Sequence, residues 1–258
     1  MFTFAVSNKK MKRLNIYIAI VLAITSHPFG YAQAPDSIPH YRTGKMIEIA
    51  IPTAMITCGA ISLGSNGIRN LDFSVRDHLV EKNAVWNQSW DNYMLFSPAV
   101  AAFGIKLCGV ESTHKTTDML ILYALSNVLN SGIVEGSKRM IGRERPDYSD
   151  YLSFPSGHTS RAFIAAEFLH QEYKNQSPWI SVGGYAVASL IAVARVYNNK
   201  HWISDVITGA GIGILSTKIV YWTYPCLQGA ISRKNKTNVF FSPSYNEGNW
   251  GINFSCNF

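Results

Sequence analysis

The chain has 258 residues, of which 47% are hydrophobic and only 15% charged, against roughly 25% charged in ordinary soluble domains. That length builds one sizeable domain with a well-buried core. Of the net charge of +7, four positive charges (Lys9, Lys10, Lys12, Arg13) fall in the first 13 residues, leaving +3 for the rest; this mild excess suits an anionic substrate or a membrane surface and, with no basic stripe or zinc-finger spacing, is no signature of nucleic-acid binding.

In chain order, Lys12 and Arg13 precede the apolar run Leu14–Thr25. The breakers His27, Pro28 and Gly30 follow, then the small-residue site Gly30-Tyr31-Ala32. A positive segment, an apolar run and small-x-small form the export-signal pattern, and the run is shorter than the ~20 residues a span needs. Residues 1–32 therefore read as a signal peptide cleaved after Ala32, with Met11 an alternative start. Residues 33–224 read as a helical domain and 225–258 as a tail.

Residues 35–45 form a polar lead-in. Met46–Leu63 is an apolar helix containing Pro52 and Glu48, the latter expected as a hydrogen-bonded core carboxylate. Residues 65–93, with Trp86, Trp90 and Tyr93 among charges, read as amphipathic or irregular structure on a surface. Five further helices follow, at Met94–Val110, Asp118–Ser137, His158–Tyr173, Trp179–Val196 and Ile203–Tyr221. Gly209, Gly211 and Gly213 give the last of these a small face for close helix contact. They are no dinucleotide fingerprint, because no strand precedes them and the spacing is wrong. Val239–Ser242 and Trp250–Phe254 flank Asn246-Glu247-Gly248 and read as a hairpin. The fold class is all-α: an antiparallel six-helix bundle with a short C-terminal β-hairpin-like tail. Cys58, Cys108, Cys226 and Cys256 make no CxxC pair, which argues against a metal site. The first two are expected as small core residues, and the last two could pair in an exported protein.

The chemistry concentrates between Lys138 and Asp205. With consecutive helices antiparallel, the end of the third helix (Lys138, then Arg145), the start of the fourth (Ser156, Gly157, His158), the end of the fifth (Arg195) and the start of the sixth (His201, Asp205) all fall at one end of the bundle. Lys138, Arg145 and Arg195 can neutralise a phosphate, the arginines through forked hydrogen bonds. Backbone N–H groups at Ser156 and Gly157 open a helix and suit an anion, and glycine lets the backbone approach it closely. His201 and Asp205, at i and i+4, share a helical face, so the carboxylate can orient the imidazole. His201 is then the better nucleophile, and His158 is left to protonate the leaving oxygen. Three fixed cations do the charge stabilisation, so no metal is required.

Singly, each block has an ordinary explanation: a helix-end charge, a turn, a structural ion pair. Together, Lys138-x6-Arg145-Pro146, Pro155-Ser156-Gly157-His158 and Arg195-x5-His201-x3-Asp205 resemble, in order, the signature of the type 2 phosphatidic acid phosphatase (PAP2) superfamily. That superfamily includes lipid phosphate phosphatases, bacterial class A acid phosphatases and vanadium haloperoxidases. The resemblance covers residues 138–205, about a quarter of the chain. Ala194 stands where the family usually has serine, which removes one possible phosphate donor. The resemblance implies that His201 forms a phosphohistidine, that Asp205 supports it and that His158 is the acid–base residue, with Lys138, Arg145, Ser156, Gly157 and Arg195 binding phosphate. Arg139 and Arg143 are expected at the surface or rim and Arg161 behind the site, while His40, His78, His114 and His170 have no matching context.

The implied activity is that of a metal-independent phosphatase without cofactor. Its substrate is a lipid phosphate or diphosphate: phosphatidate, phosphatidylglycerophosphate, a polyprenyl diphosphate or lipid A. The greasy composition favours a lipid, and a membrane surface is the expected partner. The alternatives are a non-specific periplasmic acid phosphatase of soluble phosphomonoesters, a vanadium haloperoxidase, whose vanadate fits the same cage, and a non-enzymatic envelope scaffold. With a cleaved signal and six spanning helices, the site would face the cytoplasm, and helices three and four are polar for lipid exposure. The expectation is therefore an exported bundle in the periplasm or on the periplasmic face of a membrane.

Overall fold

A computed structural model describes residues 40–82, 85, 89–234, 238–246 and 249–257, with side chains between residues 48 and 228. The expected signal peptide lies outside the described residues. Eight helices run in order: α1 His40–Ser62, α2 Asn66–Glu81, α3 Asp91–Met94, α4 Ser97–Leu107, α5 Thr116–Ile141, α6 Gly157–Tyr173, α7 Pro178–Tyr197 and α8 Ile203–Lys234. Strands β1 (Asn238–Asn246) and β2 (Asn249–Asn257) pair antiparallel, with Asn246 opposite Asn249. The chain divides into two compact units, up to Lys218 and from Ile219 onward.

The six expected helices become eight among the described residues, because the stretch read as amphipathic or irregular holds α2 and α3. The last helix also outruns its expected end at Tyr221: it continues through Pro225, at the cost of the one backbone hydrogen bond that proline cannot donate.

α6 is the buried axis of the first unit. Nearly every residue from Thr159 to Tyr173 is shielded from solvent. Ala162, Phe163 and Ala166 meet Ala188 and Ile191 of α7 and Val206, Ala210 and Ile214 of α8 in one core cluster. The glycines of α8 make this approach possible, as the small-residue face predicts. A Cβ at Gly209 would sit 2.5 Å from the Ser156 carbonyl, and one at Gly213 would sit 2.3 Å from that of Ser160. Gly211 faces the other way, with a Cβ position 2.7 Å from the Pro52 carbonyl of α1. Two glycines four apart thus seat α8 on the first turn of α6 and one between them seats it on α1.

Local signals set the helix ends that carry the site. α5 stops at Gly142, whose left-handed backbone (φ 59°) returns its N–H to the Lys138 carbonyl, a C-terminal cap that glycine adopts without strain. α7 starts at Ser177-Pro178, the serine side chain accepting the Trp179 N–H and the proline filling the first helical position.

α5, α7 and the Ile203–Gln228 part of α8 are each long and apolar enough to cross a membrane. Glu48–Ser62 and Asn66–Glu81, bent by 87°, would together make a fourth. Large apolar side chains point outward from them, among them Val128 on α5 and Trp179 and Leu190 on α7. The polar residues that made the third and fourth predicted helices look unsuited to lipid turn inward: Ser126, Asn130 and Ser137 of α5 are buried, and Asn130 donates to Ser160 Oγ of α6 at 3.1 Å.

Three expectations are corrected. Cys58 and Cys108 are exposed rather than core residues, being on the outer side of α1 and in the turn after α4, and Cys226 carries a free thiol. Glu48 is not a core carboxylate: it is 44% exposed, 3.6 Å from Lys218 Nζ. The buried carboxylate is Glu167, 2.9 Å from the same amine and fully shielded, a position where a charge needs such a partner.

Candidate active site

The loop from Gly142 to Pro155 and the ends of α5 to α8 bring the eight predicted residues together at one end of the first unit. Lys138, in the last turn of α5, leans across the start of α6, its Nζ 3.8 Å from where a Cβ on Gly157 would stand. Arg145 is clamped from behind: its Nε donates to Asp150 Oδ1 at 2.7 Å and its Nη1 to the Lys200 carbonyl at 3.2 Å. The same Nη1 lies 3.5 Å from His201 Nε2. Arg195, nearly buried, donates from Nη1 to Asp91 Oδ2 at 2.7 Å, while its Nε has no acceptor. A guanidinium held by one edge keeps the other edge for a ligand.

His201 and Asp205 meet differently from the helical-face expectation. α8 begins at Ile203, so His201 precedes it. The Asp205 carboxylate folds back over the helix start, Oδ2 accepting the Trp202 N–H at 3.1 Å and the Ser153 hydroxyl. His201 Nδ1 is 3.6 Å from the same oxygen, without a hydrogen-bond partner. Asp205, the third residue of α8, thus reaches back to the N–H at the cap position as well as being the carboxylate beside the imidazole.

Ser156 is also placed differently from expectation. Its N–H donates to the Asp205 carbonyl at 3.0 Å, and its buried hydroxyl lies 3.0 Å from Thr159 Oγ1. The donors left facing an anion at the head of α6 are the N–H groups of the residues after it, which by helix geometry have no intrahelical acceptor. Ser156 ties the start of α6 to the start of α8, so the two histidines are fixed relative to each other.

Both histidines are pushed down to about 4. Burial is the main cause for His158, with the positive charge of Arg195 adding to it. Burial is the main cause for His201 too, opposed by the negative charge of Asp205. Both imidazoles are therefore neutral near pH 7.

Sequence reasoning missed the carboxylates behind the cations. It also placed Arg143 at the surface or rim, and the structure corrects that. Arg143 is 14% exposed and bridges two buried acids, Nη2 to Asp72 Oδ2 and Nη1 to Asp205 Oδ1, each at 2.7 Å. Asp72, on α2, further accepts the Ser204 N–H and hydroxyl. Two buried carboxylates demand a cation, but nothing in the sequence shows that Asp72 lies beside Asp205. α3 supplies two more residues, Asp91 to Arg195 and Asn92, whose Oδ1 is 2.8 Å from His158 Nε2. Arg139 and Arg161 are exposed, as expected for a rim in the first case. Among the described residues no cluster of three or more His, Cys, Asp or Glu could hold a metal ion.

Comparisons with known proteins find relatives over the same part of the chain. The PAP2 superfamily matches over residues 117–227, which contain all eight residues. Over that segment this chain is similar to the PAP2 superfamily. It is 38% identical over 154 residues to lipid A 1-phosphatase of Porphyromonas gingivalis, covering 59% of this chain and 35% of that protein. It is 26% identical over 131 residues to phosphatidylglycerophosphatase B of Bacillus subtilis, covering 46% and 62% respectively. It thus spans less than two thirds of the length of either relative. The crystal structure of Aquifex aeolicus LpxE overlaps 52% of this chain and 84% of its own at 21% identity, with a TM-score of 0.42.

Proposed function

We propose that the protein is a metal-independent phosphatase of a phosphorylated lipid, working through a phosphohistidine on His201. The observation that carries this is the placement of a neutral, buried imidazole with Nε2 3.5 Å from a clamped arginine and Nδ1 turned to a buried carboxylate. A neutral imidazole is a nucleophile, and the carboxylate stabilises the cation that forms as it attacks. Lys138, Arg145, Arg195 and the N–H groups at Gly157 hold the phosphoryl oxygens.

In the first step His201 Nε2 forms a bond to phosphorus while the bond from phosphorus to the lipid oxygen breaks, and His158 delivers a proton to that oxygen. In the second, His158 takes a proton from water, the hydroxide attacks phosphorus, the N–P bond breaks, and His158 hands the proton to the departing phosphate, which leaves as the monoanion. With both imidazoles neutral, the proton of the first step enters with the substrate, as the monoanion of the ester.

The outward apolar faces of α5 and α7 favour a lipid over a soluble ester, and the relatives' names point to lipid A or phosphatidylglycerophosphate as substrates. We place the site on the periplasmic side of an envelope membrane. Ser149 is exposed in the loop at the site end, so Ser149→Cys in intact cells is expected to react with an impermeant maleimide above the parent's background; protection of that cysteine would place the site inside. Activity is tested with a lipid-phosphate panel on wild type and His201→Ala, with acid-quenched trapping of labelled phosphate on the protein. The expectation is label and phosphate release in the wild type and at least a 10³-fold loss in the variant; equal release from both would refute the mechanism.

A further inference from the structure

A second recess adjoins the site. Val75 and Leu79 of α2, Val193 and Val196 of α7 and Ile203 and Ile207 of α8 line a cavity of about 580 Å³. Its walls are apolar, and its size falls in the range of small-molecule and lipid-chain sites. It reaches towards the chemistry: Val75, Val196 and Ile203 also line a narrow crevice whose other walls are Asp72, Arg76, Pro146, Asn199, His201 and Trp202. The recess therefore adjoins the crevice that His201 lines.

The two flanks of the site differ in chemistry. From α5 and α6 come cations, Lys138 with exposed Arg139 and Arg161. From α2, α7 and α8 come aliphatic side chains. A ligand with a charged head and a hydrocarbon tail matches this division, whereas a small polar ester would leave the recess to water.

We infer that the groove between α2, α7 and α8 takes the hydrocarbon chain of the substrate while its phosphate sits beside His201. This rests on the reading of the protein as a lipid phosphatase and adds where the lipid tail lies. α2, outside the segment that matches the PAP2 superfamily, then has a role in chain-length selectivity as well as in holding Asp72.

The test separates the groove from the catalytic reading. Full-length protein is titrated calorimetrically with n-alkyl phosphonates of four to ten carbons, kept below their micelle concentrations, so that binding is read without turnover. Full burial is worth about fourfold in affinity per methylene, and the wild type is expected to show a two- to fourfold gain per carbon. Val193→Trp and Leu79→Trp fill the groove from opposite walls, and in each the gain per carbon is expected to fall towards one. The slope, not the absolute affinity, is the readout, and two variants guard against one failing to fold. An unchanged slope in a folded variant would overturn the proposal and leave the groove to another occupant, such as a second copy of the chain. Phenyl phosphate hydrolysis by the wild type, with His201→Ala as its control, is measured alongside. A steep slope without hydrolysis would keep the groove and sink the phosphatase reading.

Discussion

Replacing Arg143 by methionine keeps the length of the side chain and removes the charge that Asp72 and Asp205 share. Both carboxylates are essentially unexposed, at 1% and 0%, and each is 2.7 Å from the guanidinium. Breaking a buried pair by removing one partner costs about 3–5 kcal/mol, because the remaining charge is stranded. For a domain of this size that corresponds to roughly 6–20 °C in Tm. Asp72 keeps its two bonds from Ser204, and Asp205 keeps those from Trp202 and Ser153, which holds the expected loss to the lower half of the range. Activity falls as well, since Asp205 Oδ1 is freed and the carboxylate can turn from His201; about 10- to 100-fold in kcat is expected, the size seen when the residue orienting a histidine is disturbed. Thermal melts in detergent and turnover of a soluble ester read the two effects. Adding Asp72→Asn to Arg143→Met removes one of the stranded charges and should recover part of the stability, a coupling a double-mutant cycle measures. A single variant melting within about 2 °C of wild type, with full turnover, would refute the bridging role.

Other consequences follow from the same geometry. Because both imidazoles titrate near 4 and the ester loses its second proton near pH ~6, kcat/KM should rise to about pH 4, stay level, and fall about tenfold per unit above pH ~6; a profile flat to pH 8 would show that His158 holds the proton itself. Depressed histidines also favour the folded state fully above their unfolded value, 6.5, and lose that contribution as pH falls towards 4, so acid melts should show a decline across this window that His158→Gln reduces. Asp91→Asn removes the charge that clamps Arg195 and should weaken inhibition by inorganic phosphate about tenfold, measured as its inhibition constant. Gly209→Ala drives a Cβ into the Ser156 carbonyl and should lower Tm and cut turnover, whereas Gly136→Ala, with nothing within 4 Å, should stabilise by about 0.5–1 kcal/mol.

The sequence by itself determined the helical class, the pairing of charged and titratable residues with helix ends, and the convergence of Lys138, Arg145, Gly157, His158, Arg195 and His201. Alternation of antiparallel helices is a local property, and charges beside helix breakers are visible without a third dimension. The small-residue face of α8 was legible for the same reason, since glycines four apart leave nothing but backbone on one side. What only the tertiary structure decided is the set of acids that holds those cations: Asp72 for Arg143, Asp91 for Arg195, and the carboxylate of Asp205 turned back over the start of its helix. An ion pair between residues 72 and 205 leaves no period or spacing in the chain, because it depends on how α2 lies against α8. Burial, too, belongs to the assembled fold. It lowers both histidines and makes the cage a set of paired charges with one edge left for phosphate, where the sequence suggested an excess of bare cations.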